Sequence, residues 1–416
     1  MRVLWLKSEL LHPVDRGGRI RTYQMLRQLA RRHEVTYLCL DDARDRASDA
    51  VALAAEYAHE VVTVPFAPPP KGGAAMYADL ARSVVTSGEP YAIWKYRSDG
   101  FRTAFDRLAA SGRFDVCVCD FLVPAVNLPA RLPLPMVLFQ HNVEAEIWRR
   151  HFETSTGPKR WLYRGQWARM QAFEREVCRR MDHVVAVSEA DREHFARVYG
   201  VEGPTAVATG VDTDAFRPSG GVPRIPGRLV FTGQMNWMPN EDGMQWFAAE
   251  IWPRIRAAVP GATLDVVGRD PTPAIRRLAE RGDGITVTGR VPQVQPYLER
   301  ASAAVVPLRV GGGTRLKIYE ALAMECPLVS TAVGAEGLPV EDGRHCRLAD
   351  DPAAFADACI ALLREPAAAE AMGRRAATWV RERFSWAAVT EGFTATCERV
   401  AASRGSSPGV LAGAAR

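Results

Sequence analysis

Two kinds of hydrophobic pattern alternate along this chain. Short runs of β-branched and other apolar residues are separated by longer segments in which apolar residues follow a helical spacing, as Leu26 and Leu29 do within 20–32. The runs predict strands at Val3–Leu6, Val35–Leu40, Val61–Val64, Val116–Cys119, Met136–Phe139, His183–Val187, Leu229–Thr232, Thr263–Val267, Ile285–Thr288, Ala303–Pro307 and Leu328–Ser330. Because this alternation is typical of parallel sheets covered by helices on both faces, we expect an α/β protein.

The length of the chain and a change in its composition divide this pattern in two. The 416 residues are too many for one ordinary core, and the alternation restarts after a segment rich in Pro and Gly at 218–228. We predict two facing Rossmann-like domains at 1–215 and 216–385, a C-terminal helix at 386–402 that packs back on the first domain, and a disordered tail at 403–416. Open α/β sheets bind ligands beyond the carboxyl ends of their strands, so we expect the active site in the interdomain cleft.

Composition narrows the classes of partner. The formal net charge is +5, and Lys and Arg are interspersed with Asp and Glu rather than collected in the basic patch of a nucleic-acid binder. No apolar run approaches the roughly 20 residues that span a bilayer, and the opening run Met1–Leu6 is too short for a signal peptide, so we expect a cytoplasmic protein. The eight cysteines include no CxxC pair and no His at zinc spacing, which predicts reduced thiols and no metal site.

One helical stretch, 149–180, mixes basic and aromatic residues, among them Lys159, Arg160, Trp161 and Arg164. Two interpretations remain open from the residues alone. The stretch is either a solvated amphipathic helix or a surface that contacts a membrane or a lipid-linked acceptor. The second interpretation places the protein at the periphery of the inner face of the membrane.

The segment from Pro307 to Met324 carries the densest chemical signal. Three glycines at 311–313 let the backbone approach a ligand, and a helix predicted to begin near Thr314 offers its positive dipole end to phosphate. Arg315 and Lys317 add full charges, and Glu320 lies on the same helical side as Lys317, which we expect to keep the carboxylate ionised. The alternative is a flexible glycine turn followed by a surface Lys–Glu pair, but the order of charges favours a diphosphate site.

This segment, with Cys326-Pro327-Leu328-Val329 after it, resembles the donor-binding signature of the family-4 retaining glycosyltransferases, which have the GT-B fold. The resemblance extends to other segments in the family's order, so that it covers almost the whole chain. These are Pro13–Arg21, Gln140–Glu144, Val187–Glu189, Thr209–Pro218, Gly233–Asn240, Gly268–Arg269 and Gly289–Pro292.

The resemblance implies a glycosyltransferase that moves a sugar from a nucleotide-diphosphate sugar to a glycan or lipid-linked acceptor in the biosynthesis of cell-surface polysaccharides or glycoconjugates, with no metal and no other cofactor. It implies catalytic roles for Arg315, Lys317 and His141, although the residues alone also allow His141 to be an ordinary buried histidine. It further implies donor contacts for Gly17, Gly18, Gly233, Arg269, Gly289, Arg290, Val291, Gly312, Gly313, Thr314 and Glu320.

The chain departs from the family at three places, one of which, Thr209 where Asn is usual, is expected to be harmless. Gly312 stands where many members carry a first glutamate that contacts the donor sugar, so the identity of the sugar is left open. The loop at 233–240 lacks the family's common Arg and Lys. Arg315 and Lys317 are therefore expected to carry the diphosphate charge alone. Two other functions remain open: a nucleotide-sugar 2-epimerase on the same fold, and a nucleotide-sugar-binding protein without catalysis.

Overall fold

A computed structural model of the chain describes residues 1–68, 73–310 and 316–405. Its strands are β1 (Arg2–Lys7), β2 (Glu34–Asp41), β3 (Glu60–Pro65), β4 (Val116–Asp120), β5 (Met136–Phe139), β6 (His183–Ala186), β7 (Thr205–Ala206), β8 (Ile225–Thr232), β9 (Thr263–Val267), β10 (Ile285–Gly289), β11 (Ala301–Val306), β12 (Leu328–Ser330) and β13 (Arg347–Leu348).

The α-helices are α1 (Gly17–Leu29), α2 (Ala50–Leu53), α3 (Ala74–Thr86), α4 (Tyr91–Trp94), α5 (Asp99–Ala110), α6 (Glu144–Thr154), α7 (Pro158–Arg180), α8 (Glu189–Tyr199), α9 (Met238–Trp246), α10 (Trp252–Ala258), α11 (Pro273–Ala279), α12 (Gln295–Arg300), α13 (Leu316–Ala323), α14 (Pro352–Arg364), α15 (Pro366–Phe384) and α16 (Trp386–Gly405). Among the described residues there are also two short 3₁₀ segments, Ala54–Glu56 and Val123–Asn127, and a π-helical turn at Phe247–Ile251.

The first seven strands form one parallel sheet in the order β3-β2-β1-β4-β5-β6-β7. Its core joins alternate residues of the strands, such as Leu4 and Leu138, to Phe101 and Phe105 of α5. The strand order reverses between β1 and β4, and such a switch point opens a crevice at the carboxyl ends of the two strands.

The other six strands form a second parallel sheet in the order β10-β9-β8-β11-β12-β13. Phe231 and Val266 of this sheet pack with Phe247, Trp252 and Phe355 from the surrounding helices. Here the strand order reverses between β8 and β11. Two parallel sheets in an α/β chain confirm the predicted fold class of two Rossmann-like domains.

The chain divides into two compact units, one made of Met1–Ala208 with Val389–Arg416 and the other of Thr209–Ala388. We call them the first and the second unit. The first crossing between units therefore lies at 208/209, whereas the sequence analysis placed it at 215/216. Within the first unit, Phe393 of α16 packs on Trp5 and Phe139 with ring centroids 5.6 and 5.0 Å apart.

Three local features differ from the sequence-based expectations. The stretch 149–180 is not one helix, because Gly157 has φ +63° and Pro158 begins a new helix, which separates α6 from α7. The two-residue strands β7 and β13 are too short to give a periodic signal. The tail was predicted to be disordered from 403, but α16 continues to Gly405, and 406–416 lies outside the described residues.

The cysteines and the long helices agree with the sequence-based expectations. All eight cysteines are free and buried, including Cys117 and Cys119 of β4. Among the helices of the described ranges, none combines the length and the apolar character that a membrane span requires.

Candidate active site

The second unit brings Lys317 to the switch point between β8 and β11. Lys317 lies in the first turn of α13, which follows β11, and its Nζ donates to Oδ1 of Asn240 at 2.7 Å. The same Nζ lies 4.2 Å above the ring centroid of Phe231 in β8. Asn240 is buried and its Nδ2 donates to the carbonyl of Gln234 at 2.8 Å. These contacts fix the position of the ammonium group at the carboxyl edge of the second sheet.

Two glycines make this close packing sterically feasible. A Cβ at position 233 would lie 2.8 Å from Nζ of Lys317 and 2.7 Å from Nδ2 of Asn240. A Cβ at position 268 would lie 1.7 Å from the carbonyl oxygen of Gly233. Because β8 and β9 are neighbours, their following loops touch backbone to backbone, so that only glycine fits at position 268, and a side chain at position 233 would displace Lys317 or Asn240.

Four other predicted donor residues of this unit, Arg269, Gly289, Arg290 and Val291, follow β9 and β10 along the same edge. The amide of Gly268 donates to the carbonyl of Gly289 at 3.2 Å, and Nη2 of Arg269 donates to Oε1 of Gln234 at 3.0 Å. Arg290 is exposed and Val291 is half-buried directly after Gly289. The loops after β8, β9 and β10 thus form one continuous rim, and Gly233, Arg269 and Gly289 belong to it.

Glu320 is half-buried on α13, one turn after Lys317. Burial raises the pKa of the Glu320 carboxyl to about 7, and the attraction of Lys317 offsets this rise only in part. Lys317 thus favours the ionised form, as expected, but burial keeps the pKa of Glu320 near neutral and above its usual acidic range.

Four predicted site residues, Gly312, Gly313, Thr314 and Arg315, lie outside the described residues. Their roles in binding and turnover stay predictions from the sequence. Among the residues that the structure does describe, no three His, Cys, Asp or Glu side chains come together as a set of metal ligands.

The other predicted residues, Gly17, Gly18 and His141, lie in the first unit. Gly17 and Gly18 begin α1, and a Cβ at position 18 would lie 3.0 Å from the ring of Phe121. His141 follows β5, is buried, and stacks on the same Phe121 ring with centroids 3.9 Å apart. Phe121 therefore brings the start of α1 and the His141 loop together at the carboxyl edge of the first sheet.

Beneath His141 lies a buried network that the sequence analysis missed. Asp120 ends β4, and its Oδ2 accepts from Nε1 of Trp5 at 3.0 Å, from Oγ1 of Thr22 at 2.6 Å and from Nζ of Lys7 at 2.9 Å. Its Oδ1 lies 2.8 Å from Nε2 of His141. A signal was available, because Lys7 and Asp120 are polar residues that directly follow apolar runs, and the carboxyl ends of the adjacent strands β1 and β4 meet at one edge.

Two opposing effects set the charges in this network. Burial disfavours the charged form of each group, and attraction between oppositely charged groups favours it. Burial acts to raise the pKa of Asp120, but Lys7, His141 and the hydrogen bond from Thr22 together hold it well below its usual range. Burial, with smaller contributions from the cations Lys7 and Arg21, lowers the pKa of His141 to about 3 against the pull of Asp120. At neutral pH the site therefore holds a carboxylate and an uncharged imidazole.

A second buried carboxylate, Glu174 of α7, holds the segment that carries His141. It accepts from Nε2 of Gln140 at 2.9 Å, from the amides of Glu144 and Ala145 at 2.8 and 3.0 Å, and from the hydroxyl of Tyr199 at 2.8 Å. Two of these donors are free amides at the start of α6, so Glu174 caps that helix from a neighbouring one. Burial raises the pKa of Glu174 to about 7.

Comparison with known proteins places these two clusters in context. Residues 16–215 match the sequence profile described as Glycosyltransferase Family 4, and residues 226–365 match the one described as Glycosyl transferases group 1. The chain is 28% identical over 242 residues to a D-inositol 3-phosphate glycosyltransferase of Mycolicibacterium paratuberculosis, an alignment that covers 54% of each protein. It is 28% identical over 301 residues to the glycogen synthase of Mycobacterium tuberculosis, covering 69% of this chain and 68% of that enzyme.

The alignment thus spans about half the length of the first of these relatives. Among solved structures, the sucrose-phosphate synthase of Thermosynechococcus elongatus superposes with a TM-score of 0.64 at 17% identity, over 97% of this chain and 100% of that one. HepE of Anabaena, solved in complex with UDP, superposes with a TM-score of 0.65 at 13% identity, over 96% and 100%. At these identities the superpositions show a common fold.

Proposed function

The chain belongs to glycosyltransferase family 4 and has the GT-B fold, and from this premise we propose that it transfers a sugar from a nucleotide-diphosphate sugar to a glycan or lipid-linked acceptor, with retention of the anomeric configuration. In this proposal the second unit binds the donor and the first binds the acceptor. The setting that we propose is the synthesis of a cell-surface polysaccharide or glycoconjugate.

The observation that carries the proposal is the placement of Lys317. Its ammonium lies in the first turn of α13, at the edge where β8 and β11 diverge, and Asn240 holds it there at 2.7 Å. A helix start, a cation and a switch point together favour a phosphate group. The glycine at 233 lets Lys317 and Asn240 pack directly against the backbone, which keeps the cation at this edge of the sheet.

The proposed chemistry follows from the charge that develops when the donor breaks. As the bond between the sugar and the diphosphate lengthens, negative charge accumulates on the leaving oxygen, and Lys317 and Arg315 stabilise it. Glu320 in its ionised form accepts hydrogen bonds from the ribose. In the first unit, Gly17 and Gly18 allow the donor to approach the start of α1 closely, and His141 offers hydrogen bonds to a sugar.

A donor screen tests the proposed function. Binding to the folded state raises the melting temperature in proportion to ln(1 + [L]/Kd), so a panel of nucleotide-diphosphate sugars should contain at least one that stabilises the protein at millimolar concentration. Product analysis of that donor with and without acceptor glycans should then show transfer, and no change of the donor alone, which excludes epimerisation. A panel in which no donor raises the melting temperature would contradict the proposal.

Turnover is expected to survive a strong chelator. Lys317 and Arg315 supply the positive charge that a divalent cation supplies in other phosphate-transferring sites, so the proposed step requires no metal. Initial rates of sugar transfer should agree within error before and after treatment with excess EDTA. A loss of turnover that magnesium or manganese restores would overturn this expectation.

Replacing Glu320 with Gln is expected to weaken donor binding by about tenfold at pH 8, because a charge-assisted hydrogen bond to the ribose is lost. Since the pKa of Glu320 is about 7, wild-type affinity should rise between pH 6 and pH 8, and that of the variant should stay constant. Titration calorimetry at both pH values measures this, with the exposed Glu336→Gln as the matched control. Equal affinities for wild type and Glu320→Gln would reassign Glu320 to a structural role.

We also propose that the first half of α7 contacts the inner face of the membrane. Trp161 and Leu162 are 73% and 43% exposed, and Lys159, Arg160 and Arg164 are exposed around them. A large apolar ring among basic side chains suits the interface of an anionic bilayer, where each cation contributes about 1 kcal/mol. This contact would bring a lipid-linked acceptor to the first unit.

The triple variant Lys159→Ala, Arg160→Ala, Arg164→Ala is expected to bind anionic phosphatidylglycerol vesicles about a hundredfold more weakly than wild type, since three such contributions are lost. The matched control removes the same charge from exposed positions elsewhere in the first unit, as Arg31→Ala, Arg32→Ala, Arg113→Ala. Vesicle flotation measures both. Equal losses in the two variants would mean that net charge, and not the surface of α7, drives the association.

A further inference from the structure

The buried network at the carboxyl ends of β1 and β4 contains a lysine, an aspartate and a histidine in direct contact. Trp5, Lys7, Thr22 and Asp120 are at most 1% exposed, and His141 is 5% exposed. Isolated, an aspartate beside a histidine raises the pKa of the imidazole and makes it a base. Lys7 changes this arrangement, because its Nζ lies 2.9 Å from the same carboxylate.

The allocation of protons in the network follows from the donors present. Lys7 donates to Oγ1 of Thr22 at 2.9 Å, so the single hydroxyl proton of Thr22 goes to Oδ2 of Asp120. All three side-chain donors other than His141 use Oδ2, which leaves Oδ1 facing Nε2 of His141. A carboxylate only accepts, so Nε2 carries the ring proton and Nδ1 keeps its lone pair.

The geometry also prevents the ring from adopting another arrangement easily. Phe121 stacks on one face of His141 with an interplanar angle of 25°, and the Phe139 ring lies 4.5 Å away, centroid to centroid. The contact between Nε2 and Oδ1 is short but lies off the line of a well-aligned hydrogen bond, and Nδ1 is buried without a partner among the described residues. His141 is therefore held by packing and by the Asp120 charge rather than by a full set of hydrogen bonds.

We propose that Lys7 and Asp120 are positioning residues that fix His141 as an uncharged imidazole with its proton on Nε2, and so exclude it from proton transfer. The proposal rests on the proposed function. A group that takes a proton from an acceptor hydroxyl needs a pKa near the working pH, and burial together with the Lys7 cation removes that property from the Asp120–His141 pair. His141 then serves the transfer reaction only as a neutral hydrogen-bonding group. The charged groups that face it are Asp120 from β4, Lys7 from β1 and Arg21 from α1.

The first test is the protonation state of His141 in the full-length wild-type protein. Side-chain ¹⁵N NMR of histidine-labelled protein, with the His141→Gln variant to identify the signal, should show Nε2 protonated and Nδ1 unprotonated. Both shifts should stay constant between pH 5 and pH 8.5, whereas an ordinary histidine titrates near 6.5. A His141 signal that titrates within this range, or that carries its proton on Nδ1, would overturn the proposal.

The second test removes Lys7. In Lys7→Met the carboxylate of Asp120 keeps His141 as its nearest titratable partner, so the pKa of His141 should rise and the NMR signal should begin to titrate at the acid end of the measured range. The pH profile of kcat/KM should gain an ionisation that wild type lacks, with an activity loss of about tenfold where the ring is charged. Lys7→Met, Asp120→Asn removes both charges together and should show no such rise. Identical pH profiles for wild type and Lys7→Met would contradict the proposal.

These outcomes are distinguishable from a failure of the proposed function, because donor stabilisation of wild type is measured separately. Should Lys7→Met fail to fold, the wild-type titration decides alone.

Discussion

Replacing Lys317 with Ala is expected to lower kcat/KM for the donor by about a hundredfold or more, because a charge that faces the leaving diphosphate is lost. Its Nζ is held by Asn240 and Phe231 at the edge of the second sheet, so the charge is in place before the reaction begins. Lys317 is half-buried, and its removal should change the melting temperature by only a few degrees. Steady-state kinetics beside thermal melts measure the two effects.

Three further variants make this result specific. Arg276→Ala removes an exposed cation from α11 of the same unit and should leave kcat/KM unchanged. Lys317→Arg should recover part of the activity, since it restores the charge without the same geometry. Arg315→Ala, a prediction from the sequence, should lower kcat/KM as much as Lys317→Ala does. The double variant should lose less than the sum of the two single losses in transition-state free energy, because both residues act on one leaving group. Wild-type rates in the folded double variant would refute the assignment of Lys317 and Arg315 to the leaving diphosphate.

Replacing Glu174 with Ala is expected to lower the melting temperature by about 10 °C. The change leaves four buried donors without their acceptor, among them the amides of Glu144 and Ala145, and each unsatisfied donor costs about 1–3 kcal/mol. Removal of the buried charge offsets part of this cost, so we expect the free energy of unfolding to fall by about 3–4 kcal/mol. Each kcal/mol lowers the melting temperature by about 2–4 °C. Glu176→Ala, on an exposed position of the same helix, is the control and should change little.

The pH dependence of this contribution has a defined sign. Burial raises the pKa of Glu174 in the folded protein to about 7, above its ordinary value of 4.5, so the folded state binds the proton more tightly than the unfolded state. The stabilisation of the folded state by the protonated Glu174 carboxyl is then fully present below pH 4.5 and is lost as the pH rises through 7. The melting temperature of wild type minus that of Glu174→Gln should therefore fall between pH 4.5 and pH 7. A difference that rises over this range would contradict the assignment.

The sequence predicted the sheets well because their signals are local. Met136–Phe139 and Thr263–Val267 have the predicted bounds, since each is a short apolar run between polar segments. The glycines at 233 and 289 were assigned to the rim from the resemblance. The structure adds the steric reason at position 233, where a side chain would displace Lys317 or Asn240.

What the sequence could not predict depends on contacts between distant residues. Lys7 and Asp120 are 113 positions apart, and only the register of β1 against β4 brings their side chains together. The pKa of Glu320 depends on how far α13 is buried, which no pattern of charges reveals. Gly157 is a local signal for a helix break, but the basic and aromatic residues on both sides of it suggest one continuous helix.

The arrangement of the chain in two units has a consequence for biosynthesis. The second unit is one continuous segment, whereas the first needs α16, whose Phe393 packs on Trp5 and Phe139. On the ribosome, β1 to β7 are therefore made long before the helix that completes their core. At about 5–20 residues per second, the roughly 200 residues that separate β7 from the end of α16 take about 10 to 40 s to synthesise. During that interval the rings of Trp5 and Phe139 lack their final partner, so nascent chains stalled within the second unit should be strong chaperone clients.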